Sequence, residues 1–385
     1  MGKKSKREYL QEINGRYKKA GLEGKKKIVD EFCNVCSYHR KYAIKLLNQY
    51  PLQEINRQRK RAGPKEKYHT EGVIRFIKTL WIRTNLICSK RLKASISIWL
   101  PWYTKEISPL SKEDEGLIRK ISPATIDRLL AKFRGKYKKR GLCTTRPGSI
   151  IRQLIPIKTD QWDEKRPGYV EVDLVAHCGT SVAGDYINTL NMVDIATGWT
   201  SQRAVWGKGE TNTFKAIREI ELTLPFKIKG FDSDNGKEFL NYRLLKYFKH
   251  RTEPVSYTRS RAYNKNDNSH IEEKNWTVVR QYIGYDRLEN PIQLDMLNEL
   301  YRGDLNNFIN YFLPSVKLIS KQRQGSKIKK KYDIPKTPFQ RLFESKSIDE
   351  EKKLELLRFS KKLNPFELQQ NIKDKISQTL ILSIK

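Results

Sequence analysis

No stretch of about 18 apolar residues occurs anywhere in this 385-residue sequence, which excludes a membrane-spanning helix. The opening run Met1-Gly2-Lys3-Lys4-Ser5-Lys6-Arg7-Glu8 leads into no apolar segment, so a secretory signal is not expected. Cysteine is scarce, odd in number and scattered (Cys33, Cys36, Cys88, Cys143, Cys178), which argues against a disulfide framework and fits a reducing cytoplasm. The spacing Cys33-x2-Cys36-x2-His39 is short of a structural zinc site, which takes four ligands, usually as two pairs. With only a lone His69 nearby, these cysteines read as small buried apolar groups. A Gly-rich phosphate loop, a Ser-His-Asp signature and a long heptad run are also missing.

Acidic residues are comparatively few: 43 against 77 Lys and Arg, for a net charge of +34. With aromatics at 10%, the chain is too rich in core-forming residues to be a disordered polyelectrolyte. Such an excess points to a polyanionic partner. Its distribution is more telling. Residues 1–150 hold 37 basic and 13 acidic side chains, residues 151–300 hold 21 of each, and residues 301–385 hold 19 and 9. Two basic arms thus flank a neutral, acid-containing centre. Arms of this kind suit the phosphate backbone of double-stranded DNA, which supplies most of its non-specific affinity.

The N-terminal arm reads as helical. Over residues 25–48, Ile28, Val29 and Phe32 mark one apolar face, Asn34 to Ser37 supplies a turn, and Ala43, Ile44, Leu46 and Leu47 mark a second helix that also carries Arg40, Lys41 and Lys45. A better-formed instance follows. Leu117, Ile118 and Ile121 end one helix, Ser122 is placed as N-cap with Pro123 at the first helical position, and the next helix shows Arg128, Lys132 and Arg134 outward. Two short helices with a basic second one fit a helix-turn-helix, and a solvated helical face fits the same pattern. Trp81, Trp99 and Trp102 predict further helices over 71–103. The expected divisions are 1–69 and 70–135 as helical DNA-binding units, 136–164 as a basic linker, 165–313 as a catalytic core and 314–385 as a basic C-terminal region with a terminal helix.

From residue 165 the pattern turns to strands. Val170, Val172 and Leu174 alternate with Glu171 and Asp173. Further strands are predicted over 186–195, 200–206, 227–231 and 254–257, with helices over 211–222, around Leu244 to Phe248, and over 270–283. The order is β-β-β-α-β-α-β-α. Three acids stand at comparable places: Asp173 on the first strand, Asp234 just past the fourth, and Glu272 on the helix after the fifth. A cluster of like charges is unfavourable as structure and becomes sensible around divalent cations.

Val172-Asp173, Asp234-Asn235-Gly236-x-Glu238-Phe239 and Ile271-Glu272 resemble the Asp, Asp, Glu core of retroviral integrases and related insertion-sequence transposases. The resemblance spans about residues 165–315, and the Asp-Asn-Gly-x-Glu-Phe segment is its most specific part. It implies a ribonuclease H-like α/β core (a mixed five-stranded sheet with helices) flanked by a helix-turn-helix arm and a basic C-terminal region. It also implies two Mg²⁺ or Mn²⁺ ions held by Asp173, Asp234 and Glu272. The activity implied is cleavage and joining of DNA ends to target DNA by a homo-oligomer assembled on DNA. Two departures favour the transposase branch: 37 residues separate Asp234 from Glu272, near but not equal to the retroviral spacing, and the retroviral His-His-Cys-Cys module is missing.

Neighbouring residues compete for these roles. Asp232 shares the strand parity of Asp234, which alone directly precedes Asn-Gly, and Asp232 is the reserve. Glu238 reads as a first-turn residue of the next helix, Asp185 and Asp194 as caps at the hairpin, and Glu171 as a supporting or exposed acid. At about 100° per residue, Ile271, Trp276, Val278, Val279, Tyr282 and Ile283 form one apolar arc. Glu272 falls inside this arc and Glu273 opposite. Lys274 is the DNA-contact candidate beside it. Asn275 and the loop residues Asn264, Asn266 and Asn268 could touch substrate DNA too, with ordinary surface the preferred reading, and His177 and His270 are left outside the site. A DNA-binding regulator that keeps the fold without catalysis, and a nuclease that cuts without joining, are the competing readings. In the C-terminal arm, Lys317 to Lys331 forms a basic stretch before the apolar Phe339, Leu342 and Phe343, and a last helix begins near Asp349.

Overall fold

The computed structural model describes residues 1–49, 67–134, 164–260, 269–324 and 327–382. The expected linker over 136–163 and the Asn264, Asn266 and Asn268 positions lie outside these residues. The chain divides into two units, residues 1–65 and 66–385.

The described residues of the first unit form three helices, α1 (Lys3–Lys19), α2 (Leu22–Cys36) and α3 (Arg40–Asn48). Ile28, Val29, Phe32 and Cys36 from α2 meet Leu10 and Ile13 from α1 and Ala43 and Leu47 from α3 in one small core. Ser37, in the left-handed region at φ 53°, ends α2 and turns the chain into α3. α1 was not expected from the sequence, because its surface is so rich in lysine that the apolar stripe is narrow. Cys36 is fully buried, its thiol pushed up by burial, and serves the core as expected of an apolar group.

The second unit begins with α4 (Glu71–Arg83), α5 (Ser89–Glu106), α6 (Lys112–Lys120) and α7 (Pro123–Arg134). Ser122 accepts a hydrogen bond from the Thr125 amide at 3.2 Å, so the predicted cap and Pro123 start α7 as read. The sheet follows: β1 (Tyr169–Ala176), β2 (Ile187–Asp194), β3 (Thr200–Trp206), α8 (Glu210–Thr223), β4 (Gly230–Ser233), α9 (Tyr242–Lys249) and β5 (Ser256–Arg259). Strand order is β3-β2-β1-β4-β5, with β1, β2 and β3 antiparallel and β1, β4 and β5 parallel. This mixed five-stranded sheet with helices matches the ribonuclease H-like core expected. Asp194 accepts the Thr197 amide at 2.8 Å and the Gly168 amide at 2.8 Å, which pins the hairpin Ala196-Thr197-Gly198 as predicted.

Beyond β5 come α10 (Ser269–Lys274), a π-helical turn (Asn275–Arg280) and α11 (Gln281–Ile283), then α12 (Pro291–Leu300), a second π-helical turn (Tyr301–Leu305) and α13 (Asn306–Phe312). A two-stranded ribbon, β6 (Leu318–Gln324) and β7 (Lys327–Tyr332), precedes α14 (Pro338–Glu344), α15 (Glu350–Ser360) and α16 (Pro365–Ile381). One apolar cluster takes in α4 to α7, one face of the sheet and α12 to α16. Trp99 is its centre: it is fully buried against Phe308, Phe312 and Phe366, and its indole donates to the Phe312 carbonyl at 3.1 Å. The segments 70–135, 165–313 and 314–385 therefore share a core rather than standing as separate bodies. Among the described residues no helix is long and apolar enough to cross a membrane.

Candidate active site

Parallel pairing of β1 with β4 places their acids in two rows. Glu171 stands beside Asp232, and the register that matches Val172 to Ser233 carries Asp173 toward Asp234 one step further along. The inner row is closed by donors. Glu171, 1% exposed, accepts the Ile271 amide at 3.0 Å and so holds the start of α10, while burial pushes its carboxyl up to about 8. Asp232, 4% exposed, accepts the Thr258 hydroxyl of β5 at 2.5 Å.

The outer row differs. Asp173 accepts its neighbour's amide, Leu174, at 2.8 Å and the Asn275 side-chain amide at 2.6 Å. Asp234 accepts the Gly236 amide at 2.9 Å. Burial and the charge of Asp234 push Asp173 up to about 7, and burial raises Asp234 as well. Among the described residues neither forms an ion pair. Lys208, exposed, is the cation whose charge bears on Asp234.

Asn275 ends a run of amides that crosses the sheet. Gln202 on β3 donates to Asn191 on β2 at 2.9 Å, Asn191 donates to Asn275 at 2.9 Å, and Asn275 donates to Asp173. The cross-strand partners Gln202, Asn191 and Asp173 lie directly opposite one another, so the ladder register itself builds this row. Each side chain is held by the next, which fixes the Asp173 carboxylate and ties it to the turn following α10. Asn275, read from sequence as plain surface, is thus part of the site. Its signal was available only as a polar residue three positions after Glu272.

Glu238 also differs from expectation. Asn241 caps α9 by accepting the Leu244 amide at 2.9 Å, so the helix starts at Tyr242 and residues 234–240 form a turn. Glu238 lies in that turn, its carboxyl raised by burial and by Asp234. A Cβ on Gly236 would come within 2.6 Å of the Glu238 carboxyl carbon, so a larger residue there would push that side chain aside.

Glu272 is exposed, as is Glu273, so the buried arc read from sequence does not hold there. Ile271 and Lys274 take the packed side of α10 instead. The arc assumed a continuous α-helix, but the turn Asn275–Arg280 is π-helical and rephases every position across it. Trp276, placed on the apolar arc, is 42% exposed for the same reason. Lys274, expected at the DNA surface, is 9% exposed and belongs to the packed side. His177 is fully buried against the Thr189 hydroxyl at 2.8 Å and held far below its usual titration by burial, a core histidine. Among the described residues no group of three or more His, Cys, Asp or Glu side chains is drawn together closely enough to hold a metal ion.

The basic helix positions are where they were expected. Lys41, Lys45, Arg128 and Lys132 are exposed; Arg40 pairs with Asp30 and Arg134 with Asp127.

No family model matches the chain. The chain is similar to the catalytic core domain of HTLV-2 integrase in complex with magnesium (15% identity, TM-score 0.28, 39% of this chain and 90% of that one). It is similar too to the BIV integrase catalytic core (14%, 0.27, 45% and 91%). A wider match is to a simian T-cell lymphotropic virus intasome in complex with PP2A regulatory subunit B56 gamma (12%, 0.33, 65% and 77%). With TM-scores this low, neither fold nor activity is read from these three. In sequence, the chain is 35% identical over 343 residues to the uncharacterized protein y4rM of Sinorhizobium fredii, an alignment covering 87% of this chain and 94% of that one. The chain belongs to the family of y4rM.

Proposed function

We propose that this protein is an insertion-sequence transposase, a polynucleotidyl transferase that binds the ends of a mobile element and cleaves and joins DNA. The observation that carries this reading is the outer carboxylate pair, Asp173 and Asp234, set side by side at the ends of parallel strands with, among the described residues, no cationic side chain paired to either. Two like charges in a half-buried position cost stability, and a hard divalent cation reverses that cost. The two carboxylates therefore suit a hard cation such as Mg²⁺ or Mn²⁺, with Asp173 and Asp234 proposed as holders and the exposed Glu272 as the third, to be drawn in when the ion binds. Two such ions, when bound, supply charge neutralisation at the scissile phosphate and a more acidic attacking water.

The residues of the chain do the rest. Asn275 and the Leu174 amide fix both oxygens of Asp173, and the Gly236 amide fixes Asp234, so the carboxylates need little reorganisation. Glu171 anchors the start of α10 through the Ile271 amide, the residue before Glu272. In the first step water attacks phosphorus and the 3′ oxygen leaves; in the second that 3′-hydroxyl attacks a phosphodiester of target DNA, whose own 3′ oxygen leaves, with no covalent enzyme intermediate. The exposed cations Lys41, Lys45, Arg128 and Lys132, with Arg40 and Arg134, are proposed to grip backbone phosphates. Joining two ends in one event calls for a homo-oligomer on DNA.

The test uses duplexes bearing the element's own flanking repeats. Asp173→Asn and Asp234→Asn are expected to abolish Mg²⁺-dependent cleavage and joining while duplex binding stays within about twofold. Joining at the unsubstituted level in both variants would leave a DNA-binding regulator as the better account.

A further inference from the structure

The ribbon β6–β7 has no place in the chemistry above, and its composition is one-sided. Residues 317–332 hold seven Lys and Arg and no acid. It forms its own two-stranded sheet, paired to no other strand, and beyond its base the described side chains face solvent; Ile319 is 57% and Ile328 53% exposed. A lone hairpin is marginal in water, and clustered cations make it more so. This one is clamped at its base. Asp333 and Lys317 exchange backbone and side-chain hydrogen bonds at 2.9 and 2.6 Å, and Ser315 pairs with Lys336. Arg341, its side chain 8% exposed, closes the stem through Asp333 at 2.9 Å, the Ser315 carbonyl at 2.8 Å and the Lys336 carbonyl at 2.8 Å. A rigid stem therefore holds out an arm whose sequence carries no acid of its own.

We infer that this ribbon is a DNA-binding arm that enters the major groove of the duplex being processed, a role independent of the helical units. The inference rests on the transposase reading for its partner. Width favours it: the major groove, about 12 Å across, admits a two-stranded ribbon. The register sorts the chemistry. Gln322 faces Lys329 across the ribbon, and Ser320 faces Lys331, so one face carries an amide and a hydroxyl beside two ammonium groups. Amides read base edges while ammonium groups meet phosphates. Lys330 stands on the other face with Arg323 and Ile328, so cations reach both walls of a groove. The placement is also apt, because the stem residues Lys317 and Arg341 lie near His270 and Lys274 on α10, the helix of Glu272.

The experiment measures duplex binding by fluorescence anisotropy over a range of salt, using the full chain and a variant with Lys329→Gln, Lys330→Gln and Lys331→Gln. These side chains are exposed, so an unchanged melting temperature is expected and checks folding. Loss of three phosphate contacts should flatten the slope of log K against log salt by about 3 and weaken binding roughly ten- to hundredfold at low salt. Gln322→Ala should leave that slope alone and narrow the preference for element ends over random duplex. An unchanged slope in the triple variant overturns the ribbon and leaves the transposase reading standing. Equal loss of binding to duplex DNA, single-stranded RNA and heparin overturns groove entry and makes the arm a general polyanion grip. Absence of duplex binding by the unsubstituted protein removes both readings.

Discussion

The two rows of acids on β1 and β4 sit two residues apart on the same strands, yet the protein treats them oppositely. Glu171 and Asp232 are each spent on a neighbour, the first on the α10 amide and the second on the Thr258 hydroxyl. Asp173 and Asp234 are oriented but not neutralised. Both rows accept hydrogen bonds from the fold, but the first is sealed inside it while the second lies only half-buried past the paired strand ends, where something that arrives could reach it. All four are acids of the same strand parity, so their burial separates the inner pair from the candidate site pair.

That contrast can be broken by substitution. The largest effect belongs to the outer row: Asp173→Asn or Asp234→Asn should lower cleavage at least about 10³-fold, since ion-mediated charge stabilisation contributes several kcal/mol. Next comes the helix-borne acid. Glu272→Gln should cost about 10²-fold or more in the same cleavage assay, while Glu273→Gln and Glu238→Gln should stay within a few-fold. A large loss with Glu238→Gln and none with Glu272→Gln would move the third ligand to the turn before α9.

Smaller effects come from the inner row, and they should appear in stability rather than turnover. Glu171→Ala removes the acceptor for the start of α10 and should lower stability by about 1–2 kcal/mol in a denaturant melt, as loss of a helix cap does. Retained cleavage within about tenfold would confirm the division between the rows. Smallest is a control far from the site. Burial raises Glu221, but hydrogen bonds from Arg251 at 2.6 and 2.7 Å and from Tyr247 at 2.7 Å outweigh it and hold the carboxyl below its usual 4.5. Its contribution is therefore present above about pH 4.5 and lost as pH falls through the lower folded value. Glu221→Gln should cost about 1 kcal/mol at pH 7 and less at pH 3, read from melts at the two pH values.

The strand-borne part of the site was legible because strands are simple: alternation put Asp173 on one side of β1, and the Asp-Asn-Gly turn marked Asp234. The order of strands and helices in the sheet domain followed from the same alternation. Glu272 was harder, because its face was read through a helix that the turn Asn275–Arg280 interrupts. Lysine misled twice. A lysine-rich stripe hid α1, and the run at 327–331 shows no apolar alternation by which β7 announces itself. The packing of Trp99 against Phe308 and Phe366 joins residues more than 200 apart, which no local pattern encodes.

The central claim is that the outer pair is a divalent-ion site, and a Mn²⁺ titration of the full-length protein followed by electron paramagnetic resonance addresses it without needing the DNA substrate. Saturable Mn²⁺ binding in the unsubstituted protein and in Glu273→Gln, weakened at least about tenfold by Asp173→Asn and by Asp234→Asn, is the predicted result. Equal Mn²⁺ binding in all four proteins, or none in any, would contradict it.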